Sequence, residues 1–439
     1  MSTTGVLIYT EGLYGAFVEK DRLQNIILIL SDDHGQKDSG CYGNSVVKTP
    51  NIDRIASAGM KFHRAFTPTA MCAPSRSTLF TGLYPHRHGC HMNHGSVFEE
   101  IKSLPYYLQP LGYRVGLSGK THIKPRKNFP FEYLSLDISE IGAFIDSSGD
   151  NSFCLIIATH DPHAKKVKGE HGFAQSTMYD PGTIPLPPYL VDTEDTREQM
   201  AGYYDLITNL DNYIGDVLEL LDDWDMDKQT VLIYTSDHGA GFPFEKWTCY
   251  EAGLTVPLLI QWRGYISPGS ETKAMVSFAD VLPTLIEIAG GNTINNLDGR
   301  SFLPVVTGEK SSHHQYIYGV HTTKGIIQGS YYPIRSVRDE RFKYIRNLNP
   351  DGRFTNLITE SAFQAGWGSW KKKAQKDPFA AWRVRLYQER PPEEVYDLKH
   401  GPYELHNLAG DSAYQEVKTR LSQNLDNWMS RQGDAELKS

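Results

Sequence analysis

Five short polar clusters in this chain combine residue types that do chemistry when brought together. Asp32 and Asp33 are adjacent carboxylates. Cys72 opens the run Cys72-Ala73-Pro74-Ser75-Arg76, continued by Ser77-Thr78-Leu79-Phe80-Thr81-Gly82. Lys120 and His122 stand in Gly119-Lys120-Thr121-His122, and His160 and His163 flank Asp161-Pro162. Asp237-His238 is followed by Lys246. An Asp-Asp pair is often no more than a solvated turn. Joined by Asp237 and a neighbour, it becomes a set of hard ligands suited to Ca²⁺ or Mg²⁺. Lys120 and His122 are two apart, so in extended chain both face one side and could address one anion. A lone cysteine is usually a small buried residue. At the start of a helix it would stand where the N-terminus attracts an anion.

These clusters need elements to position them, and the hydrophobic pattern supplies strands. Residues 25–31 (NIILILS), 113–119 (YRVGLSG), 153–159 (FCLIIAT) and 230–236 (TVLIYTS) are apolar runs of the kind buried in parallel sheets. Each ends at a polar cluster, where open α/β sheets hold their ligands. The sequence around Thr49-Pro-Asn-Ile-Asp53 reads as a helix start with Gly59 near the helix end, and 196–223 reads as a long helix. Strands alternating with helices predict an α/β fold with a large, mostly parallel central sheet flanked by helices. From about residue 315 the strands shorten (YIYGVHTT, GSYYPIRSVRDE, RFKYIRNL), which predicts a smaller antiparallel sheet. The stretch EVYDLKHGPYELHNLAGD reads as turn-rich, and YQEVKTRLSQNLDNWMSR as an amphipathic closing helix. The expected division is an extension at 1–23, a large unit at 24–314 and an α+β subdomain at 315–439.

The bulk properties exclude several roles. The chain has 439 residues, 40% of them hydrophobic, and a net charge of −8. That balance gives no general attraction to nucleic acid or to an anionic membrane, so an anionic ligand must be caught by local positive charge. The five cysteines form no CxxC pair, and a disulfide framework is not expected. No apolar run approaches the ~20 residues of a membrane helix. The first residues lack a basic region and a clean cleavage site, so no signal peptide is read. As written this points to the cytoplasm, or to the periplasm if a native leader is missing.

The Cys72 segment, with Asp32-Asp33 ahead of it, resembles the signature of the type I, formylglycine-dependent sulfatases of the alkaline phosphatase superfamily. The resemblance spans about 24–430 and implies an alkaline-phosphatase-like fold. It implies that a formylglycine-generating enzyme oxidises Cys72 to formylglycine. One hydroxyl of the hydrated aldehyde then attacks sulfur, and deprotonation of the other expels sulfate. It implies a metal, commonly Ca²⁺ with Mg²⁺ or Mn²⁺ as alternatives, on Asp32, Asp33, Asp237, His238 and the modified Cys72. Family members often carry Asn after the late Asp; His238 is found instead in choline-sulfatase-like and phosphonate-monoesterase-like relatives. By the same resemblance Arg76 binds the formylglycine and Lys120 its oxygen and the sulfate. His122 takes a proton from the second hydroxyl. His163 and Lys246 neutralise the sulfate and protonate the leaving group. His160 is left open between structure and function.

Within the family, 26–33, 119–122, 160–163, Tyr332-Pro-Ile-Arg-Ser-Val337 and Arg346-Asn-Leu-Asn349 look most like the heparan N-sulfatase (N-sulfoglucosamine sulfohydrolase) group. The expected substrate is a sulfated mono- or oligosaccharide, N- or O-sulfated, attacked at its terminus. His91, His94, His321 and Arg335 are candidates to line the sugar site. The other reading is a phosphodiesterase or phosphonate monoester hydrolase on the same scaffold, encouraged by His238.

Overall fold

A computed structural model describes residues 24–167, 170–224, 229–322, 331–360 and 366–434. The expected extension at 1–23 lies outside the described residues. Eight strands form the main sheet: β1 (Asn25–Ser31), β2 (Met60–Phe62), β3 (Arg114–Gly119), β4 (Glu132–Leu134), β5 (Phe153–Ala158), β6 (Thr230–Ser236), β7 (Leu258–Gln261) and β8 (Ser270–Thr272). Their order is β8-β2-β7-β6-β1-β5-β3-β4. Only β7 runs antiparallel to its neighbours. The four strands expected from apolar runs are therefore contiguous and parallel, in the order β6-β1-β5-β3. Register aligns their ends: Ser31 pairs with Ser236, Leu30 with Ala158, and Ala158 with Gly119. Asp32, Asp237, Thr159 and Lys120 thus leave the sheet along one edge.

The alternation along β1 explains the layers. Ile26, Leu28 and Leu30 join one core with Leu79, Phe80, Leu282 and Leu285. Ile27 and Ile29 join another with Ile52, Ile55, Phe144, Ile214 and Leu218. Both faces are thus apolar, as a parallel sheet covered on each side requires. The helices that cover it are α1 (Pro50–Ala58), α2 (Cys72–Thr81), α3 (Ile138–Asp146), α4 (Glu194–Asp223) and α5 (Val281–Ile288). Helices α2 and α5 lie on the first face and α1, α3 and α4 on the second. In α1 a proline in the first turn and Asp53 favour initiation, and Gly59 follows the last residue. Helix α4 starts two residues earlier than expected because Thr193 caps it, accepting from the Thr196 N–H.

The C-terminal sheet has four antiparallel strands: β9 (Ile317–His321), β10 (Ile334–Arg338), β11 (Phe342–Asn347) and β12 (Glu393–Asp397). The turn-rich reading of the 394–411 segment missed β12. Its acidic residues have internal partners that let them enter a sheet: Glu394 accepts from Tyr250, Tyr396 and Asn347, and Asp397 pairs with Arg341. Two further helices, α6 (Trp367–Lys373) and α7 (Pro378–Gln388), precede it. The closing helix α8 (Gln415–Gln432) lays Leu421, Leu425, Trp428 and Met429 on Val320, Val337, Tyr344 and Val395.

Candidate active site

Helix α2 begins at Cys72, and all ten of its residues are buried. Pro74 has no N–H to lose in the first turn. Ser75 donates its hydroxyl to the Asp237 carbonyl (2.6 Å), fixing the helix start against the loop that follows β6. Cys72 is 2% exposed. Its Sγ lies 3.4 Å from His238 Nε2 and 3.7 Å from Lys246 Nζ, where the oxygen of a formylglycine would stand. Burial pushes the thiol up, but Lys120 and Lys246 outweigh it and hold Cys72 well below the ordinary cysteine value.

The carboxylates of Asp32, Asp33 and Asp237 are buried, each offering an oxygen within 4.8 Å of the others. Each carries its own cation: Lys120 on Asp32, Lys246 on Asp33 (2.6 and 2.8 Å), and Arg76 Nε on Asp237 (2.9 Å). Burial raises the Asp32 carboxyl, yet Lys120, His163, Arg76 and Lys246 together hold it well below its usual range. Asp237 ends on the other side: burial wins over His238 and Arg76 and lifts it to about 6. His238 donates Nδ1–H to the Gly239 carbonyl (2.9 Å), which turns Nε2 toward Asp33 Oδ1 at 3.3 Å. Burial would lower His238, but Asp237, Asp33 and Cys72 raise it to about 9.

This donor set fits a divalent cation. Three clustered oxygens and one inward imidazole nitrogen are ligands for a hard or borderline metal. Three carboxylates against Arg76, Lys120 and Lys246 sum to zero. A bound dication would leave the site positive, which suits an anionic substrate.

Backbone geometry holds these groups in place. Asp33 sits at φ +66° and His122 at φ +48°, the sparsely populated left-handed region. Gly119 turns the chain out of β3 at φ +84°; a Cβ there would stand 2.3 Å from the Ala158 carbonyl. Tyr203 on α4 accepts the Gly35 N–H and donates to the Asp33 carbonyl, both at 3.0 Å. Lys246 also lies over the Trp247 ring, 5.1 Å from its centroid.

The remaining candidates distribute as follows. His163 is part-exposed, with Nδ1 on the Ala164 carbonyl (2.6 Å) and Nε2 3.9 Å from Asp33. His160 is exposed; burial of part of its ring and the nearby Lys120 lower its pKa. His122 Nε2 and His94 Nδ1 are 2.7 Å apart. His91 stacks on His86, and its carbonyl accepts the Thr322 hydroxyl. His321 and Arg335, expected at a sugar-lined surface, lie inside the fold. His321 is fully buried with its ring edge-on to Phe354, and Arg335 is bound to Asp434 (2.5 Å). Both fall on strands covered on each face, which spacing alone does not show. Sequence reasoning passed over Asn93, whose Oδ1 lies 3.4 Å from the Ala73 N–H and whose amide lies 3.4 Å from His94 Nε2. It links the start of α2 to His94; an Asn between Met and His reads as turn material.

Comparison with known proteins gives a consistent result. The family model described as Sulfatase matches residues 24–145 and 138–291, and the model for the C-terminal region of N-sulphoglucosamine sulphohydrolase matches 238–357. An ulvan-active sulfatase of Formosa agariphila is 36% identical over 424 residues, covering 93% of this chain and 80% of that protein. Human N-sulphoglucosamine sulphohydrolase is 29% identical over 478 residues, covering 93% and 90%. The fold matches a structure holding its substrate D-glucosamine-2-N,6-O-disulfate with a TM-score of 0.73 at 19% identity, covering 94% of this chain and 99% of that one. It also matches the phosphonate monoester hydrolase of Agrobacterium radiobacter, with a TM-score of 0.70 at 19% identity and coverage of 93% and 96%.

Proposed function

The chain belongs to the sulfatase family, and from that premise we propose that it removes sulfate from a sulfated sugar, as an O-sulfate ester or an N-sulfate, through Cys72 oxidised to formylglycine. The observation that carries this reading is the position of Cys72. Its side chain stands at the start of a buried helix, between Lys246 and His238 and beside the three-carboxylate cluster.

Asp32, Asp33, Asp237 and His238 would hold a divalent metal, Ca²⁺ being the family's usual ion, and that ion would supply Lewis-acid stabilisation of sulfate oxygen charge. The formylglycine would supply a hydrated aldehyde as nucleophile. The chain's own residues do the rest. Arg76, bound to Asp237 and to the Lys120 carbonyl (3.2 Å), locks the helix start to two of the strand ends. Lys120 and Lys246 bring positive charge to the nucleophilic position and offset charge that grows on the sulfate oxygens. His122 exchanges a proton at the nucleophilic residue and is oriented by His94. His163, with Nδ1 fixed on a carbonyl, presents Nε2 to the leaving group. The similarity to the ulvan-active and N-sulphoglucosamine enzymes supports a saccharide substrate.

The test compares turnover of an aryl sulfate, an aryl phosphodiester, N-sulfoglucosamine and a panel of O-sulfated oligosaccharides. Highest kcat/KM on a sulfated saccharide is expected. A phosphodiester preference of several orders of magnitude would instead favour the phosphonate-hydrolase reading that His238 allows.

A further inference from the structure

A second cluster of metal-binding side chains shares no residue with the site above. Asp280 immediately precedes α5 and is fully buried. Its carboxylate is oriented by two backbone donors, the Ser277 N–H on Oδ2 (2.7 Å) and the Arg300 N–H on Oδ1 (2.9 Å). Two consecutive histidines converge on it from the chain that leads into β9. His314 Nε2 lies 2.9 and 2.8 Å from the two oxygens, and His313 Nε2 lies 3.4 Å from Oδ2.

Consecutive residues of extended chain point to opposite sides. Here both rings turn to one carboxylate, their centroids 4.4 Å apart and their planes at 70°. The His314 N–H on the Met275 carbonyl (3.1 Å) and an Arg300 guanidinium hydrogen bond to the His313 carbonyl hold that turn. The His313 side chain is 6% exposed, and its Nε2 makes no hydrogen bond. A buried ring nitrogen held 3.4 Å from a carboxylate that His314 and two backbone N–H groups already serve makes only a long, weak contact with it. A cation coordinated by both nitrogens and Oδ2 would serve all three.

We propose that Asp280, His313 and His314 form a second metal site, selective for Zn²⁺ or a similar borderline dication. Two imidazoles and one carboxylate are a poor set for Ca²⁺ and a good one for Zn²⁺, with the fourth position left to water. The two backbone N–H groups on Asp280 act as the outer support such ligands require. Access comes from a groove of about 1470 Å³ lined by His313 and His314, among others, and by none of the candidate catalytic side chains. The ion ties the start of α5, on the main sheet, to the segment entering the C-terminal sheet.

The test uses the full-length protein saturated with Ca²⁺, so that the carboxylate cluster is filled, and titrated with Co²⁺. The expected result is a visible d–d spectrum of tetrahedral Co²⁺ that saturates at one equivalent, is abolished by Zn²⁺, and is missing from H313A/H314A. That variant should keep the near-UV circular dichroism and aryl sulfate turnover of the parent. If it does not fold, H313Q and H314Q separately should each weaken Co²⁺ binding at least tenfold. No such spectrum in the parent, or an unchanged one in the variants, overturns the proposal.

Discussion

Lys246 touches both halves of the proposed chemistry, with its ammonium on both oxygens of Asp33 and 3.7 Å from Cys72 Sγ. Removing one member of a buried pair leaves the other uncompensated, at about 3–5 kcal/mol. It also removes a preorganised charge, an effect on the order of 10²–10³ in kcat. Lys246→Ala should therefore lower both stability, measured by urea denaturation, and kcat. Added Ca²⁺, by neutralising Asp33, should restore part of the stability and little of the turnover. A variant with unchanged kcat would remove Lys246 from the mechanism. Residue type and strand-end position, both readable in the sequence, bring Asp32, Asp33, Lys120 and Asp237 to one sheet edge, whereas Cys72 stood out only through its resemblance to a family signature. Partner choice was not legible: nothing in the chain order says that Arg335 is committed to Asp434 or that Asn93 bridges Ala73 and His94.

At the scale of elements, the loops at the sheet edge are held by close backbone approach. A Cβ at Gly239 would stand 1.9 Å from the Ala252 carbonyl oxygen, and backbone at that distance does not yield as a flexible side chain would. Gly239→Ala should displace the loop carrying Asp237 and His238. Ca²⁺ affinity by calorimetry should fall at least tenfold, with turnover falling alongside; an unchanged affinity would detach this loop from the metal. Largely apolar runs marked β1 and β6 to the residue, because a strand covered on both faces has no fully exposed positions to break the run. β12 was illegible because its sequence, EEVYD, is polar, and its place in the sheet depends on distant Tyr250, Asn347 and Arg341. Helices α6 and α7 were missed for a related reason: Trp367, Trp370 and Tyr387 pack into a cluster of aromatic rings drawn from far along the chain.

Over the whole molecule, the closing helix secures the C-terminal sheet through one large ring. Trp428 stacks on Tyr318 at 4.7 Å and meets Tyr84 edge-on at 5.1 Å. Trp428→Ala should cost about 3–5 kcal/mol, visible as a lower Tm. A charge buried near the site gives the fold a pH dependence of its own. Burial lifts Asp38 from its ordinary 3.8 to about 7, against the pull of Tyr203 and Lys37. A carboxyl raised on folding is easier to ionise in the unfolded chain, so stability falls as pH rises from near 4 and levels off above about 7. Asp38→Asn should flatten that slope in thermal unfolding between those limits; an unaltered slope would assign it elsewhere.

The same burial bears on maturation. Cys72 and every other residue of α2 are inside the fold, so the proposed modification of Cys72 would have to occur before the chain closes around it. Mass spectrometry of the Cys72 peptide, on active protein purified from its native host, decides whether Cys72 is the precursor of the nucleophile. The predicted peptide has lost H₂S and gained one oxygen, the change from cysteine to formylglycine. Unmodified cysteine in fully active protein would contradict it.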